Sequence, residues 1–307
     1  MPLLAGHRAS PPVSPRPPRP SIGKPVLTWI APDGGVWPMS DRRLPWWTLP
    51  GWSHVVGAAP LELSTDDRPR GGARVRHVQP LPRVMVWPLR VGARTHMEFV
   101  QAVRALAGAF TQTRRLGPGR MRIARPDGTA REIEAYYEGG FSGEPGQTVL
   151  RDEFALSLFC EDPYWRDVEP TVVARMFSEP ADYYDPYTSI SSGQVLGETT
   201  IANDGDVEAW PTWTVVGPMA ELTAANHTTG ESFTLSAQLE AGETARITTD
   251  PGSVRGPNGQ NWSGLLDWPG AVLWGLTPGR NDVEFVVSGA ADGTCIEIAY
   301  RRRHETP

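Results

Sequence analysis

The chain has 307 residues, 39% of them apolar, and a formal net charge of -6. That length suits two domains better than one, and the negative balance argues against sequence-specific or general nucleic-acid binding, which needs a basic face. No stretch is long and apolar enough to insert in a membrane, and the start of the chain has no apolar run of signal-peptide length.

Thirty-two Gly and 31 Pro without a collagen period mean many turns, hence many short strands and a mainly β fold. The aromatic supply of 12 Trp, 8 Phe and 7 Tyr is ample for a core. Of 29 basic residues only Lys24 is lysine. This bias reflects either GC-rich coding or the rigid, bidentate chemistry that suits Arg to interfaces. Cys160 and Cys295 fall in separate expected strands and read as buried free thiols of a reducing compartment.

In chain order, residues 1–24 carry seven prolines interleaved with Arg8, Arg16 and Arg19. Such a segment is extended and polyproline-like. It is either a loose tail or an arm laid along a neighbouring subunit, with Arg16 and Arg19 as contact residues. VLTWIA (26–31) is a strand and PDGG (32–35) a turn. Trp46, Trp47 and Trp52 cluster around Pro45, Pro50 and Gly51, a candidate contact surface between subunits. VMVWPLRVG (84–92) is a strand that Pro88 assigns to an edge or a bulge.

One amphipathic helix is expected at about 96–114. Thr95 and Glu98 form a capping-box pair ahead of Phe99, Val103, Leu106 and Phe110, and Gly117-Pro118-Gly119 ends it. MRIAR (121–125) and REIEAYY (131–137) flank the PDGT turn as a hairpin. RDEFALSLFC (151–160) alternates as a half-buried strand and stops at Asp162-Pro163-Tyr164-Trp165, an aromatic joint. The first domain therefore runs 25–165. Residues 166–200, with Tyr183, Tyr184 and Tyr187, read as an irregular connector. Residues 201–307 read as all strand, a sandwich or jelly roll closed by a hairpin of 281–289 and 294–301.

The chemistry-bearing residues assemble no catalytic pattern. The six histidines lie in no nucleophile, zinc or phosphate-loop context. Glu161 with Asp162, and Asp182 with Asp185, are carboxylate pairs of the kind that glycosidases need, but neighbouring acids in turns are ordinarily solvated. The expectation is no enzyme, no cofactor and no metal site. Trp262, Trp268 and Trp274 recur at six-residue spacing and either stack on sugars or plug the ends of the sandwich. Arg301–Arg303 are either a solvated end or an ion-pairing tail.

Four passages together carry a resemblance to a known family. They are the capped helix with RIARPDGTAREIEAYYEGG, FALSLFCEDPYWRD, IANDGDVEAWPTWTVVGP (201–218) and WGLTPGRNDVEF (274–285). Their order and spacing resemble the distal tail (Dit-like minor tail) proteins of siphovirus-type bacteriophages, here one infecting an actinobacterium. The resemblance implies a tail-tube-like β-sandwich with a flanking helix, followed by a galectin-like β-sandwich. It implies a structural subunit of the virion, at the distal end of the tail and assembled in the host cytoplasm. Its partners would be five further copies in a six-fold ring, the tail tube protein, the tape measure protein and other tip or baseplate proteins, around a channel that passes DNA. The alternative is a carbohydrate-binding adhesion module of the tail tip.

Overall fold

The computed structural model describes residues 23–143, 150–177 and 194–307. Arg16, Arg19, the Asp182/Asp185 pair and the tyrosine run 183–187 lie outside the described residues.

Period-two alternation in the first half of the chain builds eight strands of a nine-stranded sheet, the ninth coming from residues 303–304. β1 (Val26–Ile30) and β2 (Val36–Pro38) form a hairpin over a turn in which Asp33 Oδ1 accepts the Gly35 N–H at 2.8 Å. β3 (Trp46–Thr48) follows. Next come β4 (Leu61–Asp67) and β5 (Ala73–Pro80), which pair only with each other as a separate ribbon. β6 (Arg83–Gly92) alternates strictly between buried and outward positions. After the helices α1 (His96–Thr111) and α2 (Thr113–Leu116) come β7 (Gly119–Ala124), β8 (Ala130–Gly139), β9 (Arg151–Cys160) and the short β10 (Trp165–Asp167). The main path across the sheet is β2-β1-β7-β8-β9-β6-β3, with β10 attached to β8.

Pro88 does not mark an edge or a bulge. β6 lies between β9 and β3, and its register with β9 runs unbroken from Arg83↔Cys160 to Gly92↔Arg151. The Pro88 carbonyl accepts the Leu49 N–H at 2.9 Å, just past the last residue of β3. The proline nitrogen turns to that same side and cannot return the bond, but the Leu49 carbonyl opposite it accepts the Trp52 Nε1–H at 2.7 Å, so no acceptor is left unpaired.

The α1 capping box is complete: Thr95 Oγ1 accepts the Glu98 N–H, and Glu98 Oε2 accepts the Thr95 N–H, both at 3.2 Å. Phe99, Ala102, Leu106, Ala109 and Phe110 are buried against the sheet. Phe110 stacks on Trp29 at 4.5 Å and meets Trp87 edge-on at 6.1 Å. Truncating such a ring typically costs about 3–5 kcal/mol. Gly117, at φ 95, ends α2 in a backbone region that other residues rarely enter.

The second core belongs to two packed sheets. β11 (Thr171–Met176) and β12 (Gln194–Asn203) precede β13 (Thr212–Val216), β14 (Glu221–Asn226), β15 (Glu231–Leu235), β16 (Thr244–Thr248) and β17 (Ser253–Arg255). A short 3-10 turn at Ser263–Leu265 leads on to β18 (Gly279–Ser288) and β19 (Cys295–Tyr300). The orders are β11-β19-β13-β16-β17 and β12-β18-β14-β15. Between the sheets, Trp213 packs edge-to-face on Trp274, Phe233 and Phe285 at 4.7, 5.4 and 5.5 Å. The expected irregular connector 166–200 is instead largely strand where it is described. β11 pairs with β19 over six residues, turning Val172, Ala174 and Met176 outward while Val173 packs on the core.

Three buried asparagines explain the polar positions of the 201–218 and 274–285 passages. Asn203 Nδ2 donates to the Val207 and Leu276 carbonyls at 3.0 and 2.8 Å, and its Oδ1 accepts the Gly205 N–H at 3.0 Å. Asn281 Oδ1 accepts from the Thr277 N–H and hydroxyl, and Asn226 Nδ2 donates to the Gly275 carbonyl. Satisfied amides of this kind fix loops around an apolar core.

Candidate functional site: a strap, a ribbon and a tryptophan surface

Residues 301–307 are not a solvated end. They cross from the second core to the first sheet, where β20 (Arg303–His304) pairs with β10 in the register Trp165↔His304 and Arg166↔Arg303. Each side chain of the Arg-Arg-Arg-His run finds an acid. Arg301 Nη1 lies 2.8 Å from Glu132, Arg302 Nε 2.7 Å from Asp167, Arg303 Nη2 2.7 Å from Asp162, and His304 Nε2 3.1 Å from Asp167. The Arg303 guanidinium also covers the Tyr164 ring at 4.7 Å. Further on, the Arg83 guanidinium donates to the Glu305 carbonyl at 3.1 Å, Arg131 to the Thr306 carbonyl at 2.7 Å, and Arg125 to the Pro307 carbonyl. The Asp-Pro-Tyr-Trp corner is thus the anvil on which the strap lies. Asp162 and Asp167 are committed to the strap's side chains.

Glu132 is 4% exposed and faces Arg120, Arg122 and Arg301. Burial pushes its carboxyl up, but the Arg122 hydrogen bond and the charges of Arg120 and Arg122 outweigh that and hold it below the ordinary value. Asp167 follows the same logic. Burial raises it, while hydrogen bonds from His304 and Arg302 bring it below the ordinary value.

The β4–β5 ribbon has the opposite character: every residue of both strands is exposed. Register pairs Leu61 with Pro80, Leu63 with Val78 and Thr65 with Val75, all on one face, with a bulge beside Ser64. Glu62, Ser64, Asp66, Arg74, His77 and Gln79 form the other face. Leu61, Leu63, Val75 and Val78 remain 48–55% exposed although each has a cross-strand neighbour. A two-stranded ribbon is marginal alone, and an uncovered apolar face marks a surface made for contact.

Trp46 and Trp47 sit in β3, the last strand on the sheet path, whose outer side meets the end of β2: the Thr48 N–H donates to the Met39 carbonyl at 2.7 Å. Trp46 Nε1 donates to the Pro38 carbonyl at 3.1 Å, and Trp52 Nε1 to the Leu49 carbonyl at 2.7 Å. Arg90 lies over Trp47 at 5.9 Å. Beside Trp47 and Trp52 runs a groove of about 650 Å³ that also includes Leu49, Val56 and Pro307.

The remaining sequence candidates separate. Trp274 is 1% exposed in the second core and donates to the Ala224 carbonyl at 3.1 Å, so it is unavailable to a sugar. Trp262 is half-buried, packed on that core and against Gly256. Trp268 is 59% exposed. The three rings form no common platform. Glu161 is exposed, whereas Asp162 caps the Tyr164 N–H at 3.2 Å and pairs with Arg303. Among the described residues, no cluster of His, Cys, Asp and Glu could hold a metal, and no helix is long and apolar enough to cross a membrane.

This arrangement of sheets is a known one. The chain shares the fold of the SPP1 Dit (gp 19.1) protein, a paradigm of the hub adsorption apparatus in phages infecting Gram-positive hosts, with TM-score 0.63 at 13% identity over 91% of this chain and 99% of that one. The baseplate of phage p2 in its activated conformation is similar too. With Sr, the match has TM-score 0.56 at 10% identity over 93% and 100%; with Ca, 0.56 at 9% over 92% and 100%. At the level of sequence, residues 204–304 match the SPP1 Dit family model, the C-terminal domain of a siphovirus-type tail component. No curated protein matches. The chain is therefore mainly β and Dit-like in fold, with a segment in its second half that matches a siphovirus-type tail component.

Proposed function

We propose that this protein is a structural subunit of a phage distal tail ring, a hub that joins the tail tube to the tip or baseplate. The observation that carries this reading is the β4–β5 ribbon, whose apolar face nothing among the described residues covers. The Dit-like fold and the match over 204–304 support it. In a closed ring each copy presents two different surfaces, and a permanent interface can bury more than ~2,000 Å². The ribbon, the surface of Trp46, Trp47 and Trp52 at and beyond β3, and the 1–24 arm with Arg16 and Arg19 supply such surfaces. We assign the ring six copies, a channel that passes DNA, contacts with tube, tape measure and tip proteins, and assembly in the host cytoplasm before incorporation in the virion. The arginine-rich composition favours a GC-rich, actinobacterial host. We divide the chain into modules of about 25–165 and 201–307, with β11 given to the second. The role is architectural and invokes no catalytic step or cofactor.

Negative-stain imaging of the purified protein tests this. Closed rings are expected, and a monomer at every assembly-relevant concentration overturns it. A truncation starting at Ser21 tests the arm separately: rings of unchanged stability would remove it from the interface. The adhesion reading on Trp262, Trp268 and Trp274 is not favoured, because Trp274 is buried in the second core and Trp262 is packed on it.

A further inference from the structure

A trough of about 470 Å³ lies between the outer face of the β11-β19-β13-β16-β17 sheet and the 162–170 segment. On its floor, Thr214 of β13 stands in register between Glu297 of β19 and Arg246 of β16, and Thr212 stands between Ala299 and Thr248. Strands ~4.8 Å apart set the Glu297 and Arg246 backbones roughly 10 Å from each other, one on either side of the Thr214 hydroxyl. Trp210 stands farther along, 36% exposed, with its ring propped against Gly275, where a Cβ would come within 2.8 Å of it. Four extended residues place it ~13 Å from Thr214.

The arginines in the lining other than Arg246 are occupied. Arg166, Arg301 and Arg303 are paired with Glu134, Glu132 and Asp162. The side chains of Arg246, Glu297 and Thr214 make no hydrogen bond or ion pair among the described residues, although they line the trough.

We infer that this trough is a saccharide-binding site. A sugar ring offers an apolar C–H face to an aromatic ring and vicinal hydroxyls to a carboxylate that accepts and a guanidinium that donates. Trp210, Glu297 and Arg246 supply these three functions on one surface, with the Thr214 hydroxyl between the charges. A polyanion would meet Glu297 and Asp250, and an apolar ligand would find a single aromatic wall among polar groups. A neutral oligosaccharide satisfies the whole lining, and the length from Thr214 to Trp210 suits a short chain of sugars over a single ring. The site is separate from Trp262, Trp268 and Trp274. It does not depend on ring formation, so its test and the imaging test fail independently.

The test uses the full chain and a panel of neutral di- to tetrasaccharides with gluco, galacto, manno and N-acetylated rings, read by calorimetry and tryptophan fluorescence. At least one member is expected to bind, with affinity lowered about tenfold or more by Trp210→Ala and about fivefold by Glu297→Gln or Arg246→Gln. Trp268→Ala is expected to leave binding unchanged. The two charge variants sit on exposed positions and are expected to unfold at the parent temperature, which separates loss of binding from loss of fold. No binding by any member up to about 10 mM, or binding insensitive to Trp210→Ala, overturns the inference. So does assembly-dependent disulfide crosslinking through Arg246→Cys, which would show that a second copy occupies the trough.

Discussion

Arg301 and Glu132 are 169 residues apart in sequence, yet their side chains meet at 2.8 Å where the strap reaches the first sheet. The carboxylate is buried and the guanidinium is 40% exposed, so this contact joins an interior charge to a surface one. The two halves of the chain are stitched by polar chemistry at the rim of two separate apolar cores.

Glu132→Gln keeps the shape and removes the charge, leaving Arg120, Arg122 and Arg301 around a neutral amide. Those arginines are 33–40% exposed, which tempers the penalty for breaking a buried pair. The expected loss is about 2 kcal/mol by urea unfolding at neutral pH. Glu132 and Asp167 both titrate below their ordinary values of 4.5 and 3.8 when folded. Their contribution is therefore complete above those values and is lost as pH falls through the lowered ones. The variant should show a flatter decline in stability on acidification than the parent, and identical slopes would contradict this account.

Gly205 faces the strap backbone, and a Cβ there would lie 2.7 Å from the Arg303 carbonyl oxygen. Gly205→Ala should displace β20, cost about 1–3 kcal/mol and raise hydrogen exchange at His304 and Glu305. Unchanged exchange at those amides would show that the strap tolerates the crowding.

Leu63→Asp and Val78→Asp place charge on the uncovered face of the ribbon. Both side chains are already about half exposed. Monomer stability should stay within about 0.5 kcal/mol of the parent, while ring formation seen by sedimentation should fall sharply. Rings that persist in the double variant would exclude this face from the interface.

Burial, helped by Asp162 and opposed by Arg83, pushes the Cys160 thiol up to about 12. Cys295 is also raised, by burial and Glu297, but is only partly buried. Iodoacetamide at about pH 8 should label Cys295 first and reach Cys160 only after unfolding. Equal rates in the folded protein, followed by mass spectrometry, would refute the burial of Cys160.

The sequence disclosed what local pattern controls. The α1 capping box, the β7–β8 hairpin and the alternating β9 are written in residues a few positions apart, and each is present. The β4–β5 ribbon went unread because a bulge interrupts its alternation between Ser64 and Thr65 and no core demands its residues. The strap was illegible for a different reason. An Arg-Arg-Arg-His run looks solvated unless its acids are known, and those lie 135 to 169 residues upstream. Trp210 carried no periodic signal of its own, whereas the regular spacing of Trp262, Trp268 and Trp274 drew attention to rings that the fold buries to very different degrees.

The pairing of β20 with β10 also sets a timetable. His304 reaches Asp167 from 137 residues downstream, so the flank of the first sheet stays bare while the ribosome makes the whole second sandwich. A nascent chain halted before residue 303 presents that raw flank to its surroundings, and the flank is covered only once both residues of β20 have been made.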